Sequence, residues 1–132
     1  MLEAIDTVAR TIDWLRITRI WEDTPGLVAA WAFGSSQDGH VGPDSDIDIA
    51  LLFESPPSLE VQMALLAELQ DTLHFEDIDL VVLNDANPIL RFEAISGRPL
   101  FCRDMGRRAE FASLTARESE DEMALWQRAL GK

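Results

Sequence analysis

The residues most able to do chemistry lie in one short stretch of the chain. Gly34-Ser35 directly follows the apolar run 27–33, and after ten intervening residues come Asp46 and Asp48, with one residue between them. A glycine after a strand lets the backbone approach a ligand closely, and the N–H groups of such a turn, with a serine hydroxyl, suit a phosphate. The stretch therefore predicts a phosphate-binding turn followed by a pair of carboxylates.

The two aspartates predict a metal site. Asp46 and Asp48 are two positions apart on a predicted strand, so both carboxylates point to the same face of the sheet. At about 4 Å, two carboxylates repel by roughly 4 kcal/mol at an effective dielectric of about 20. A divalent cation removes this repulsion, and hard oxygen ligands suit Mg²⁺. The simpler alternative is that the aspartates only form turn and solvent contacts.

A third aspartate, Asp79, lies inside the apolar run 78–83. An ionised aspartate within a strand is costly to bury unless it is paired or bound to a metal. If this strand lies beside the strand of Asp48, Asp79 completes a three-carboxylate site. Asp77 lies on the same side of the strand and is the competing candidate.

Helices and strands alternate along the rest of the chain. The predicted elements are a helix over 2–21, strands over 27–33 and 46–53, a helix over 58–73 capped by Ser58, a strand over 78–83, a helix from Pro88 to just before Gly97 with Asn87 as its cap, a strand over 99–102 and a helix over 107–130. This alternation predicts an α/β or α+β arrangement, with helices packed on a sheet.

The two terminal helices are predicted from the spacing of apolar residues. The apolar face of the first comprises Ile5, Val8, Ile12 and Leu15, and the thinner face of the last comprises Phe111, Leu114, Met123, Trp126 and Leu130. Trp14, Trp21 and Trp31 are predicted to be core residues; Trp126 is predicted to dock either onto the body of the protein or onto a partner, because the last helix is otherwise polar.

Length and composition favour one domain. The chain has 132 residues, 47% of them hydrophobic, which suits a single domain over 1–132 with one hydrophobic core. No apolar stretch approaches the roughly 20 residues of a membrane helix. The start of the chain lacks a signal-peptide pattern, and Cys102, the one cysteine, cannot form an internal disulfide. We therefore expect a cytoplasmic location and no membrane partner.

The charge balance restricts the partners. The formal net charge is −13, from 24 acidic and 11 basic side chains. Such a field repels phosphate backbones, so direct binding to nucleic acid is not expected. A nucleotide escorted by Mg²⁺ is compatible with this charge, because the metal neutralises both carboxylates and phosphates.

The spacing of Gly34-Ser35 and Asp46-Ile47-Asp48 resembles the signature of the DNA polymerase β-like nucleotidyltransferase superfamily. The size of the chain is similar to that of its minimal nucleotidyltransferase (MNT) branch, and the segments 43–48, 77–81 and 97–101 also resemble it. The resemblance implies a mixed β-sheet flanked by helices. It also implies in-line attack on the α-phosphorus of a nucleoside triphosphate, with transfer of the nucleoside monophosphate and release of pyrophosphate.

The resemblance assigns a role to each candidate residue. Asp46 and Asp48 would bind two Mg²⁺ ions. Asp79 would help to bind the ion nearer the acceptor and favour deprotonation of the attacking hydroxyl. Gly34 and Ser35 would hold the β- and γ-phosphates of the substrate.

The resemblance also implies a partner. Many proteins of the MNT branch are antitoxins that transfer AMP from ATP to a tyrosine of a HEPN ribonuclease toxin. This chain contains no tyrosine, so a tyrosine acceptor would have to belong to the HEPN-domain partner.

Two alternatives remain open at this stage. One is a non-catalytic module of the same fold that neutralises a toxin by occlusion, and the other is a small-molecule nucleotidyltransferase of the aminoglycoside type. The first is favoured by a departure from the pattern. Family members often carry arginine or lysine shortly after Gly-Ser, whereas this chain has Ser36, Gln37 and Asp38. Either the affinity for the triphosphate is then weak, or a distant cation such as Arg91 or Arg98 substitutes.

Overall fold

A four-stranded sheet with helices on both faces organises residues 10–131, the part of the chain that the computed structural model describes. The strands are β1 (Arg10–Thr11), β2 (Leu27–Phe33), β3 (His40–Val41), β4 (Ile47–Phe53), β5 (Ile78–Val82) and β6 (Arg98–Cys102). The α-helices are α1 (Thr18–Glu22), α2 (Leu59–Leu73), α3 (Pro88–Ile95) and α4 (Met105–Ala129), and 3₁₀ turns cover Trp14–Ile17, Gly34–Ser36 and Leu83–Asp85. Within this range, no helix is both long and apolar enough to cross a membrane.

The sheet is mixed, with the strand order β5-β4-β2-β6. β2 runs antiparallel to both β4 and β6, whereas β4 and β5 are parallel. A parallel pair needs a long crossover connection, and α2 supplies it. The predicted mixed sheet flanked by helices is therefore confirmed.

The two faces of the central strands contact different parts of the core. Ile47, Ile49 and Leu51 of β4 belong to a cluster with α1 and α2, whereas Ala50 and Leu52 belong to a second cluster with α3 and α4. Burial on both faces explains why β2 and β4 are almost continuously apolar. Because side chains alternate along a strand, Asp48 lies on the face of Ala50 and Leu52.

Capping residues begin three of the helices. The side chains of Ser58, Asn87 and Asp104 accept hydrogen bonds from the backbone N–H groups of Val61, Leu90 and Arg107, at 3.2, 2.9 and 3.1 Å. The predicted caps at Ser58 and Asn87 are confirmed. The last helix begins two residues before its predicted start because Asp104 caps it.

The prediction of one helix over 2–21 is wrong. Arg10 and Thr11 pair with β3, and the N–H of Ile12 donates to the carbonyl of Gly39 at 2.7 Å. This ladder occupies backbone groups that a helix would need, so from Arg10 onward the helical residues of this segment are those of the 3₁₀ turn and α1. Leu15, predicted to be on the buried face, is 82% exposed. Ile5 and Val8 lie outside the described residues.

The predicted apolar face of the last helix is correct only at Phe111, which packs against the second cluster, and is wrong at its other members. Leu114, Met123 and Trp126 are about half exposed or more, whereas Thr115 and Ser119 are buried. Small side chains four residues apart form the stripe by which α4 packs on α3 and β2. A search for apolar periodicity misses this stripe because its members are polar. Three of the four tryptophans are buried as predicted, and only Trp126 is exposed.

Candidate active site

Strand register brings the predicted site residues to one end of the sheet. The parallel pairing of β4 and β5 places Asp48 level with Asp79. The antiparallel pairing of β2 and β4 places Phe33 opposite Asp48, so Gly34 follows at once. The two predicted strands are therefore neighbours, and both begin at the end of the sheet where β2 leads into the Gly34-Ser35 turn. β5 is an edge strand, which leaves Asp79 exposed instead of buried.

Gly34 lies in direct contact with the carboxylate of Asp48. Its φ is +76°, a left-handed conformation that glycine adopts readily and other residues rarely do. A Cβ atom built on Gly34 would lie 2.7 Å from Oδ2 of Asp48. Both the backbone conformation and the close approach therefore require glycine at this position.

Ser36 ties this turn to the segment that carries Asp46. Its side chain is 1% exposed, and its Oγ donates a hydrogen bond to the carbonyl oxygen of Asp46 at 2.9 Å. The amide of Gln37 donates to the carbonyl of Gly34 at 3.2 Å. Ser35, which lies between Gly34 and Ser36, is exposed and can reach a ligand. The sequence reasoning missed Ser36, which it treated only as a position without a cation.

The carboxylates act on one another electrostatically. The pKa of Asp48 is raised above its usual 3.8, first by partial burial and then by the negative charges of Asp79, Asp46 and Glu93. Glu93 comes from α3 and was not predicted, because no local spacing relates it to an aspartate 45 positions earlier. Asp77 is not among these charges. Asp79 is in register with Asp48 and its charge acts on that residue, so Asp79 is the better candidate of the two.

The three aspartates carry the type of oxygen ligand that Mg²⁺ prefers, although their side chains are not grouped closely around one point. Asp46, Asp48 and Asp79 offer only carboxylate oxygens, which are hard ligands of the type that Mg²⁺ takes. Their mutual repulsion is the kind that a divalent cation relieves. As placed in residues 10–131, no three histidine, cysteine or acidic side chains are grouped closely enough to hold a metal ion.

The two arginines considered as substitutes for a turn cation differ in position. Arg91 donates from Nε to the carbonyl of Leu83 at 2.8 Å and lies over the ring of Phe111, 5.2 Å from its centroid. Leu83 directly follows β5, at the opposite end of the strand from Asp79. The guanidinium of Arg91 is therefore held far from the Gly34 turn. Arg98 is exposed and pairs in register with Ala32, near that turn.

Asp38 contributes to the structure of its own loop. Its carboxylate accepts a hydrogen bond from the backbone N–H of His40 at 3.0 Å and lies 3.3 Å from the Nδ1 atom of the same histidine. These contacts hold the pKa of Asp38 below its usual value. The carboxylate of Asp38, which follows the Gly-Ser pair, therefore stabilises the loop that precedes β3.

Sequence comparison identifies the family. The profile described as "Polymerase beta, Nucleotidyltransferase" matches residues 16–106, well over half of the chain. The chain belongs to the polymerase β nucleotidyltransferase family. The family resemblance stated from the Gly-Ser and Asp-x-Asp spacing is thus confirmed, and the protein is a nucleotidyltransferase. No curated protein matches the sequence significantly.

Solved structures of the same nucleotidyltransferase fold include toxin–antitoxin proteins. One is described as a tri-AMPylated HEPN toxin of Shewanella oneidensis in complex with an MNT antitoxin; it is 25% identical, with a TM-score of 0.70, and the match covers 89% of this chain and 92% of that chain. Another, a toxin–antitoxin with AMP-PNP, is 26% identical with a TM-score of 0.74, covering 91% and 97%. A mutant MntA–HpeT toxin–antitoxin, 24% identical with a TM-score of 0.78 over 91% and 97%, shows the fold alone.

Proposed function

We propose that this protein is a Mg²⁺-dependent adenylyltransferase that transfers AMP from ATP to a HEPN-domain protein and so acts as its antitoxin. The observation that carries the proposal is the position of Asp48, level with Asp79 on the neighbouring strand and in contact with the Gly34 turn. The solved relatives support the choice of nucleotide and acceptor, because one contains a tri-AMPylated HEPN toxin and another contains AMP-PNP.

Each residue has a defined task in this proposal. Asp46 and Asp48 would hold two Mg²⁺ ions, and Asp79 would help to hold the ion nearer the acceptor and favour deprotonation of the attacking hydroxyl. Gly34 and Ser35 bind the β- and γ-phosphates through backbone N–H groups and the serine hydroxyl. Bound Mg²⁺ would neutralise the phosphates and stabilise the attacking and leaving oxygens. The acceptor oxygen bonds to the α-phosphorus, and the bond from that phosphorus to the β-phosphate oxygen breaks, releasing pyrophosphate.

The exposure of the Asp46 and Asp79 carboxylates is compatible with the proposed metal site. Asp46 and Asp79 are exposed, whereas Asp48 is half-buried against Gly34. Exposed side chains change rotamer at little cost, so Asp46 and Asp79 are free to turn toward a cation held by Asp48. Ser36 keeps the backbone of Asp46 in place during that movement.

A labelling experiment tests the proposal. The protein is incubated with Mg²⁺, ATP labelled at the α-phosphate and a HEPN-domain protein from the same organism, and label on the HEPN-domain protein is measured. Asp48→Asn removes a metal ligand with little change in shape, and we expect transfer to fall by at least about 100-fold. Asp85→Asn is the matched control: it makes the same chemical change at an exposed position in the 3₁₀ turn after β5 and should leave the rate unchanged.

Two results would reject this function. One is a wild-type protein that transfers no label with Mg²⁺ present. The other is an Asp48→Asn protein that transfers label as fast as the Asp85→Asn control.

A non-catalytic antitoxin is the second candidate, and two observations favour it. Ser36, Gln37 and Asp38 provide no cation after the Gly-Ser pair, and the first of them is buried. In addition, the acidic side chains of residues 10–131 are not grouped closely enough to form a metal site as placed. The double variant Asp46→Asn, Asp48→Asn separates the candidates, because an occluding antitoxin would still protect cells that express the toxin.

A further inference from the structure

A pocket opens beside the carboxylates, between α3 and α4. Its volume is about 560 Å³, within the range of small-molecule sites. Three large apolar side chains form its walls, Ile89 and Phe92 on α3 and Met123 on α4. They are 37%, 44% and 50% exposed, so their apolar surfaces are open to a ligand.

The pocket is continuous with the candidate active site. Gly34 lines the pocket, and it is the same residue that contacts the carboxylate of Asp48. Glu93 also lines it, and its charge acts on Asp48. A molecule whose phosphates lie on the Gly34 turn would therefore have this pocket within reach of its remaining part.

The chemistry of the lining selects which part of a nucleotide fits. Among the described residues that line the pocket, none is cationic and Glu93 is anionic, so phosphate groups are disfavoured there. A nucleobase is neutral, flat and partly apolar. Gln37, Ser96 and Ser119 offer amide and hydroxyl groups to the polar edge of such a ring.

We propose that this pocket receives the base of the nucleoside triphosphate, which stacks on Phe92 and packs against Met123. The inference rests on the proposed function and extends it, because it states where the nucleoside half of the substrate binds. An aromatic acceptor side chain of a partner is the competing occupant. The base is favoured because it is covalently tied to the phosphates at Gly34, whereas an acceptor must approach the α-phosphorus from the side opposite the leaving pyrophosphate.

Calorimetric titration of the wild-type protein and its variants with two ligands tests this proposal. The ligands are ATP and inorganic tripolyphosphate, each with Mg²⁺; only the first has a base. Stacking of one base on an aromatic ring contributes about 1–3 kcal/mol, so Phe92→Ala should weaken ATP binding by about 5- to 150-fold. The affinity for tripolyphosphate should not change, and Phe92→Trp should retain the ATP affinity.

Met123 has a matched control in the same chain. Met63 lies on α2, across the sheet from the pocket, and is 58% exposed, compared with 50% for Met123. We expect Met123→Ala to weaken ATP binding and Met63→Ala to leave it unchanged. Thermal unfolding of each variant establishes that it is folded, and Phe92→Leu keeps the apolar volume without the ring if the alanine variant unfolds.

The outcomes separate this inference from the proposed function. A wild-type protein that binds neither ligand overturns both. Phe92 variants that bind ATP and tripolyphosphate as the wild type does overturn the inference alone. Unchanged ATP binding combined with a raised KM for the HEPN protein overturns it too, and would identify the pocket as the acceptor site.

Discussion

Replacing Gly34 by alanine tests how closely the turn and the metal carboxylate depend on each other. At φ +76°, a non-glycine residue costs about 1–2 kcal/mol. The new Cβ would also lie 2.7 Å from Oδ2 of Asp48, a distance that real Cβ atoms essentially never show. The carboxylate must therefore move by several tenths of an ångström or more, away from the place where it would bind a metal.

Gly26 provides the control for the backbone term. Its φ is +77°, nearly the same as that of Gly34, and a Cβ there would meet nothing within 4 Å. Gly26→Ala should therefore lose about 1–2 kcal/mol of unfolding free energy, about 4–8 °C in Tm for a domain of this size, from conformation alone. Gly34→Ala should lose at least as much, because the contact with Asp48 is added.

Catalysis separates the two variants more sharply than stability does. A displacement approaching 1 Å in a reacting group costs about 100-fold in rate, so we expect Gly34→Ala to lose at least this much AMP transfer. Gly26→Ala should retain the wild-type rate at a temperature where both variants are folded. Urea denaturation gives the free energies, and α-labelled ATP gives the rates.

A double-mutant cycle identifies the cause of any loss. Gly34→Ala in an Asp48→Ala background meets no carboxylate, so its cost in unfolding free energy should fall to that of Gly26→Ala. One result refutes the reasoning: Gly34→Ala loses the same unfolding free energy with and without the Asp48 carboxylate, and this loss is larger than that of Gly26→Ala. A Gly34→Ala protein that transfers AMP at the wild-type rate also refutes it.

Three further predictions concern the same end of the sheet. The raised pKa of Asp48 means that the folded state binds its proton more tightly than the unfolded state, so stability falls as pH rises from 3.8 through the folded pKa. Asp48→Asn should therefore raise the urea midpoint of the metal-free protein at about pH 7 and not at about pH 3; an equal gain at both would contradict this origin. Mg²⁺ or Mn²⁺ should raise the Tm of the wild type and not of Asp46→Ala, and an equal rise in both would indicate screening of the net charge. Ser36→Ala should lose about 1–2 kcal/mol in urea denaturation, because it removes the buried hydrogen bond to Asp46, whereas the exposed Ser35→Ala should lose less than about 0.5 kcal/mol and weaken tripolyphosphate binding. Equal stability losses for the two serine variants would show that the buried bond does not matter.

Local signals predicted much of the fold correctly. The strand over 27–33 has its predicted bounds, and the helices capped by Ser58 and Asn87 begin where their caps indicate. These features depend on residues within a few positions of one another, so the sequence shows them directly. The incorrect predictions concern segments whose structure depends on contacts with residues distant in the sequence. Pairing with β3 replaces the helix expected at Arg10 and Thr11.

The candidate site divides in the same way. The spacing of Gly34, Asp46 and Asp48 within 15 positions was enough to indicate a nucleotidyltransferase, and the family profile agrees. Asp79 could be suggested only on the condition that its strand adjoins β4. The register that satisfies this condition depends on α2 and on core packing, because Asp79 lies 31 positions after Asp48.

By itself, the sequence determined the family, the alternation of helices and strands, and the residues able to hold a metal and a phosphate, because each depends on residue type and short spacing. Only the tertiary structure decided that Asp48 contacts Gly34, that Glu93 shares its electrostatic environment and that a pocket walled by Phe92 and Met123 opens beside them. These contacts join β2, β4, α3 and α4. They arise when both faces of the sheet are covered, and no local pattern encodes how separate elements meet.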